Sequence, residues 1–121
     1  MRCYKVLSIA AAVWCLSAGR AHAGGELYTA GTYTGPGTTT VCRVTNISKR
    51  PVDVTVQPMD SDGNAESPGT STFPPGNSSG YPGTTNTRYC KFTILKGSKK
   101  AIRGSMQVHD ATGLRVVLEA R

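Results

Sequence analysis

Few residues in this 121-residue chain are of types that could do chemistry, and their spacing sorts them quickly. His109 beside Asp110, with Ser105 four residues earlier, is the only grouping of the kind used in acyl transfer. Four residues of strand span about 13 Å, too far for the hydroxyl and imidazole to share a proton. No Gly-x-Ser-x-Gly turn is present to build an oxyanion site. His109 therefore reads as a rim residue at a turn. The carboxylates are scattered and offer no glycosidase pair, so a small hydrolase is the weakest of three functional readings. Asp60, Asp62, Asn64 and Glu66 alternate oxygen ligands as calcium loops do. Gly63 is not at the sixth position of such a loop, however, and Ser71 stands where its closing Glu would be. A solvated turn is the better reading, with calcium a minor option. No cofactor is implied.

The strongest local charge signal is Lys91, Lys96, Lys99, Lys100 and Arg103. Alternation points Lys91 and Arg103 outward from two strands that a Gly97-Ser98-Lys99-Lys100 hairpin would join, giving a continuous basic surface over about 91–103. Such a surface attracts polyanions: lipopolysaccharide, teichoic acid, a glycosaminoglycan or an acidic protein. Lysines also serve simply to guard sheet edges against aggregation. No aromatics interleave these charges, which argues against nucleic acid as the partner.

The chain divides sharply in composition. Arg2 and Lys5 lead into an apolar run from Val6 to Ala18, followed by Ala21-His22-Ala23. This is the layout of a secretory signal peptide over residues 1–23, with cleavage expected after Ala23. The apolar run is too short for an anchor, which needs about 20 residues, and no later stretch could span a bilayer. The expected location is the periplasm or the exterior. After residue 23, eleven Lys and Arg face seven Asp and Glu, a net charge of +4. Cys42 and Cys90 are the two cysteines that remain, and in an oxidising compartment they most simply form one disulfide. Without a C-x-x-C pair, and with a single His left, redox or metal roles for them are disfavoured.

The elements that must carry these residues are strands, because no later stretch shows helical periodicity with caps. Short alternating segments between turn residues imply an all-β domain. Leu27–Tyr33 forms a weak first strand in an N-terminal segment, 24–37, ahead of a sandwich domain over 38–121. Within that domain, Cys42 and Val44 point inward from one strand, and Val52, Val54 and Val56 from the next. Residues 65–87 carry no strong pattern, although Phe73 before Pro74-Pro75-Gly76 reads as a buried anchor at a strand end. Cys90, Phe92 and Ile94 form another inward row. Ile102, Met106 and Val108 form a fourth, in which Gly104 leaves a gap, and Leu114, Val116 and Leu118 form the last. About seven such strands predict a single antiparallel sandwich with one inter-sheet disulfide. A chain of this size excludes multidomain enzymes, membrane bundles and coiled coils.

The bridged arrangement resembles an immunoglobulin-like sandwich, although Trp14 lies in the leader and Tyr89 stands one residue before the second Cys rather than two. The Cys-x-Val-x-Asn strand (Cys42, Val44, Asn46), the Val-rich strand ending in an Asp-Gly turn, the Pro-Gly loop and the Cys-Lys-Phe strand (Cys90, Lys91, Phe92) carry a second likeness. Over about 42–118 they resemble small uncharacterised exported proteins of bacteria. That resemblance brings no assigned activity; the leading reading of the chain is an exported, non-enzymatic module that binds or is part of an envelope assembly. Its expected partner is an anionic envelope polymer or another envelope protein, with polyanion binding by the basic segment as the alternative.

Overall fold

The structure, a computed structural model, describes residues 24–32 and 35–121. The expected leader, 1–23, and the end of the expected first strand lie outside the described residues. Eight strands follow in order: β1 Gly25–Tyr28, β2 Thr39–Asn46, β3 Val52–Met59, β4 Gly69–Phe73, β5 Ser78–Pro82, β6 Tyr89–Lys96, β7 Ile102–Asp110 and β8 Gly113–Glu119. They form two four-stranded antiparallel sheets, ordered β1-β6-β3-β4 and β5-β2-β7-β8. The all-β sandwich expected from alternation is the fold.

The core lies between the sheets and is built from the inward rows. Cys42 and Val44 on β2, Val52, Val54 and Val56 on β3, Cys90, Phe92 and Ile94 on β6, and Ile102, Met106 and Val108 on β7 are all buried. Phe73 closes one end of it. The Cys42–Cys90 disulfide joins β2 to β6, an inner strand of each sheet. Gly104 faces the Phe92 ring: a Cβ there would stand 2.7 Å from Cε2, so the gap in the β7 row is filled by an aromatic from the opposite sheet.

Four expectations need correction. Two strands, β4 and β5, form within the stretch that lacks a pattern. Each lies at a sheet edge with most of its residues exposed, so neither has a buried row to mark it. The first strand covers Gly25–Tyr28, earlier and shorter than expected. Next, β6 and β7 are not a hairpin. The chain crosses from one sheet to the other through Gly97, at φ +113°, and a 3-10 turn at Lys99–Ala101. Both strands carry an apolar row, and stacking them in opposite sheets buries the two rows against each other. Finally, the β8 row is broken: a register shift pairs Val116 with Val108 but Leu114 with His109, which turns Leu114 to the opposite face, and of the three only Leu118 packs against the core.

Candidate functional site

The crossover moves the basic residues into a new grouping. At one end of the sandwich the β2–β3 turn, residues 47–51, meets the β6–β7 crossover, residues 97–101. Ile47 N–H donates to Ala101 O across this junction at 2.9 Å. Asn46, fully buried, holds the turn from beneath. Its Nδ2 donates to Arg50 O at 2.7 Å and to Phe73 O at 2.8 Å, while its Oδ1 accepts from Ser48 N at 2.9 Å and Ser48 Oγ at 2.7 Å. Its backbone extends the tie, with N–H to Asn77 O and C=O from Gly76 N–H. Asn46-Ile47-Ser48 matches a glycosylation acceptor pattern in sequence, but this amide is spent inside the fold.

Between the two connections lies an open cleft of about 720 Å³, lined by residues 48–52 and by Lys96, Gly97, Ser98 and Ala101. Lys49, Arg50 and Lys96 bring three positive charges to its wall. Lys99 and Lys100 follow on the 3-10 turn. The Lys99 stem runs toward β1, where a Cβ on Gly25 would touch its Cε at 2.7 Å. Among the described residues the ion pairs are Lys91–Glu26, at 3.5 Å, and Arg115–Asp110, so none of these five cations is neutralised by a carboxylate in contact. Two acids lie near this group: Asp53, opposite Lys96 on β3, to which Thr72 Oγ1 donates at 2.6 Å, and Glu26, whose pKa the charge of Lys99 helps to lower.

Lys91 and Arg103 do not share that surface. Lys91 lies on the outer face of one sheet, paired with Glu26, its Nζ 5.7 Å from the centre of the Tyr28 ring. The Tyr28 hydroxyl donates to Glu26, which lowers the Glu26 pKa with help from Lys91 and raises that of Tyr28. Arg103 is exposed opposite Thr45 in the other sheet. The sequence thus supplied Lys96, Lys99 and Lys100 of the basic end and missed Lys49 and Arg50. The one available signal for that pair was a second basic turn, Ser48-Lys49-Arg50-Pro51, with no indication of what it faces.

The remaining candidates are not brought together. Asp60 Oδ1 accepts the backbone N–H of Asp62 and of Asn64, both at 2.9 Å, which spends it on its own turn. Glu66 turns away to the hydroxyls of Thr84 and Thr87. Among the described residues no three His, Cys, Asp or Glu side chains gather as metal ligands would. Ser105 and His109 sit on one strand, β7. Asp110 is held by the Thr112 hydroxyl and by Arg115, which together with the Thr112 amide bring its pKa down to about 2. It serves the β7–β8 turn.

No protein-family model, no curated protein and no solved structure matches this chain.

Proposed function

We propose that this is an exported, non-enzymatic β-sandwich whose basic end binds an anionic polymer of the cell envelope. One observation carries the reading: Lys49, Arg50 and Lys96 converge on one open cleft, with Lys99 and Lys100 beside it, and no carboxylate in contact neutralises them. Charges left unpaired on a rigid rim keep their field for a partner, and several contacts to one polymer act together. The non-enzymatic part rests on how the polar groups are used: Asp60, Glu66 and Asp110 all stabilise turns and loops. Export rests on the leader layout of residues 1–23 and on a disulfide suited to an oxidising compartment. Among the described residues no helix is long and apolar enough to cross a membrane.

The immunoglobulin-like description and the likeness to small exported bacterial proteins belong to the same proposal. The bridge joins opposite sheets as in the immunoglobulin fold, while β7 pairs with β2 rather than with β6. Titration of the exported protein with heparin, as a polyanion probe, tests the reading. Binding should be measurable at low salt and weaken steeply toward physiological ionic strength, where the screening length falls to about 8 Å. No binding at low salt, or binding indifferent to salt, would overturn it. The intact mass of the same sample should match a chain starting at Gly24.

A further inference from the structure

The charges of this sandwich are sorted along its length. Both β3 and β7 start at the basic end, and the connections at their far ends, β3–β4 and β7–β8, carry Asp60, Asp62 and Glu66, with Asp110 at the close of β7. Against these acids stand Arg88, just ahead of β6, and Arg115, on β8. Lys49, Arg50, Lys96, Lys99 and Lys100 all lie at the opposite end. Such a dipole turns the basic end, rather than a side of the sandwich, toward a negative surface.

Two apolar side chains accompany the cations. The register of β3 and β6 passes from Val54–Ile94 to Asp53–Lys96, so β6 carries one extra residue, Leu95. Without that bulge Lys96 would point inward after Cys90, Phe92 and Ile94. With it, Lys96 is exposed opposite Asp53, and Leu95 stands 54% exposed beside it. On the other sheet Asn46 is buried, and Ile47, next in the chain, is 49% exposed where the turn meets Ala101 O. Exposed apolar residues are ordinary when scattered singly. Among the described residues the other large ones stand apart from the cleft: Tyr28 beside the Glu26–Lys91 pair, and Leu114, Val116 and Val117 on β8.

We propose that the basic end seats on a lipid surface of anionic headgroups, its five cations among the phosphates and Ile47 and Leu95, one from each sheet, dipping into the interface. This rests on the polyanion reading of the same site and narrows its partner to a lipid-borne one. A soluble polysaccharide would satisfy the cations and leave both aliphatic groups in water. A lipid interface takes up both, since binding there grows with buried apolar area and with attraction to anionic headgroups. The frame is stiff enough to present them together. Asn46 ties the turn from beneath, and the crossover packs so closely on Val52 that a Cβ on Gly97 would stand 2.9 Å from its Cγ1. Two short side chains insert little, so attachment is reversible and salt-dependent.

Co-sedimentation of the exported protein with vesicles tests this, using phosphatidylcholine alone and phosphatidylcholine with an equal part of phosphatidylglycerol. Heparin titration of the same samples keeps the two readings apart. The wild type should sediment with the anionic vesicles at low salt and not with the neutral ones. Ile47→Ser/Leu95→Ser, its fold checked by a melting curve, should lose about tenfold in vesicle affinity and bind heparin as the wild type does. Trp14 lies ahead of the expected cleavage site, so the exported chain has no tryptophan of its own to obscure a probe. Fluorescence of Ile47→Trp should move to shorter wavelength on anionic vesicles, and that of Val117→Trp should not. A wild type that binds heparin but ignores anionic vesicles would overturn the lipid partner and leave the polyanion reading standing, whereas binding to neither would overturn both. A double-serine variant with unchanged vesicle affinity, or an equal shift from Val117→Trp, would overturn the docking surface.

Discussion

Replacing Asn46 with Ala removes the side chain that anchors the β2–β3 turn, and with it the support of Lys49 and Arg50. After truncation, Arg50 O keeps a hydrogen bond from Ser48 Oγ at 2.9 Å, whereas buried Phe73 O loses its 2.8 Å amide donor. Depriving a buried carbonyl of its donor costs about 1–3 kcal/mol, and the other lost bonds add about 1 kcal/mol net. The expected loss is therefore about 2–4 kcal/mol. For a domain of this size that is a drop in Tm of about 10–25 °C. Asn46→Asp should be worse, since it keeps the shape, removes both donors and aims a carboxylate at two carbonyls. Urea unfolding followed by circular dichroism measures the change, with the slope unaltered if only the native state is affected. Ser48→Ala breaks the glycosylation-like triplet but leaves both amide donors in place, and should cost less. If Asn46→Ala lies within about 0.5 kcal/mol of wild type, or Ser48→Ala proves the more damaging, the anchoring argument is wrong.

Three further outcomes follow from the core and the turns. Gly104→Ala should destabilise by about 1–3 kcal/mol through overpacking against the Phe92 ring, and Phe92→Leu in the same chain should recover part of the loss in a thermal melt. Unfolded, unreduced protein should titrate no thiols, and Cys90→Ala should lower Tm clearly, since a bridge spanning 48 residues is worth about 4 kcal/mol in the chain-entropy model. The Asp110 carboxyl should titrate near pH 2 by NMR. Because its folded pKa lies below the ordinary 3.8, its contribution to the turn is present above that value and fades as pH falls toward 2. Arg115→Gln should move the titration upward, and an unchanged value would remove Arg115 as a cause.

The inward rows were legible because a half-buried strand must alternate. Val52, Val54 and Val56, or Cys90, Phe92 and Ile94, have no other way to reach a core. The same rule is silent for β4 and β5, exposed on most of their length and defined only by pairing to β3 and β2. It misleads for β8. There Leu114 and Val116 alternate in sequence as core residues do, yet an extra residue between them, Arg115, shifts the register so that Val116 pairs with Val108 and Leu114 with His109 on the opposite face. Crossover topology is likewise invisible to local pattern, since Gly97-Ser98-Lys99-Lys100 reads equally as a hairpin turn or as a bridge between sheets. That ambiguity misplaced Lys91 and Arg103, and it hid the meeting of Lys96 with Lys49 and Arg50.

Two variants that each remove two positive charges test the basic end most directly. Lys49→Gln/Arg50→Gln strips the cleft, while Lys91→Gln/Arg103→Gln strips the two outer faces. Both have the same net charge, so heparin affinity at matched low salt separates position from total charge. The cleft variant should bind about tenfold more weakly than wild type, from two contacts of up to about 1 kcal/mol each, and the outer-face variant should stay within about twofold of it. Equal losses in the two would mean that only net charge is sensed, and a larger loss in the outer-face variant would place the binding surface elsewhere.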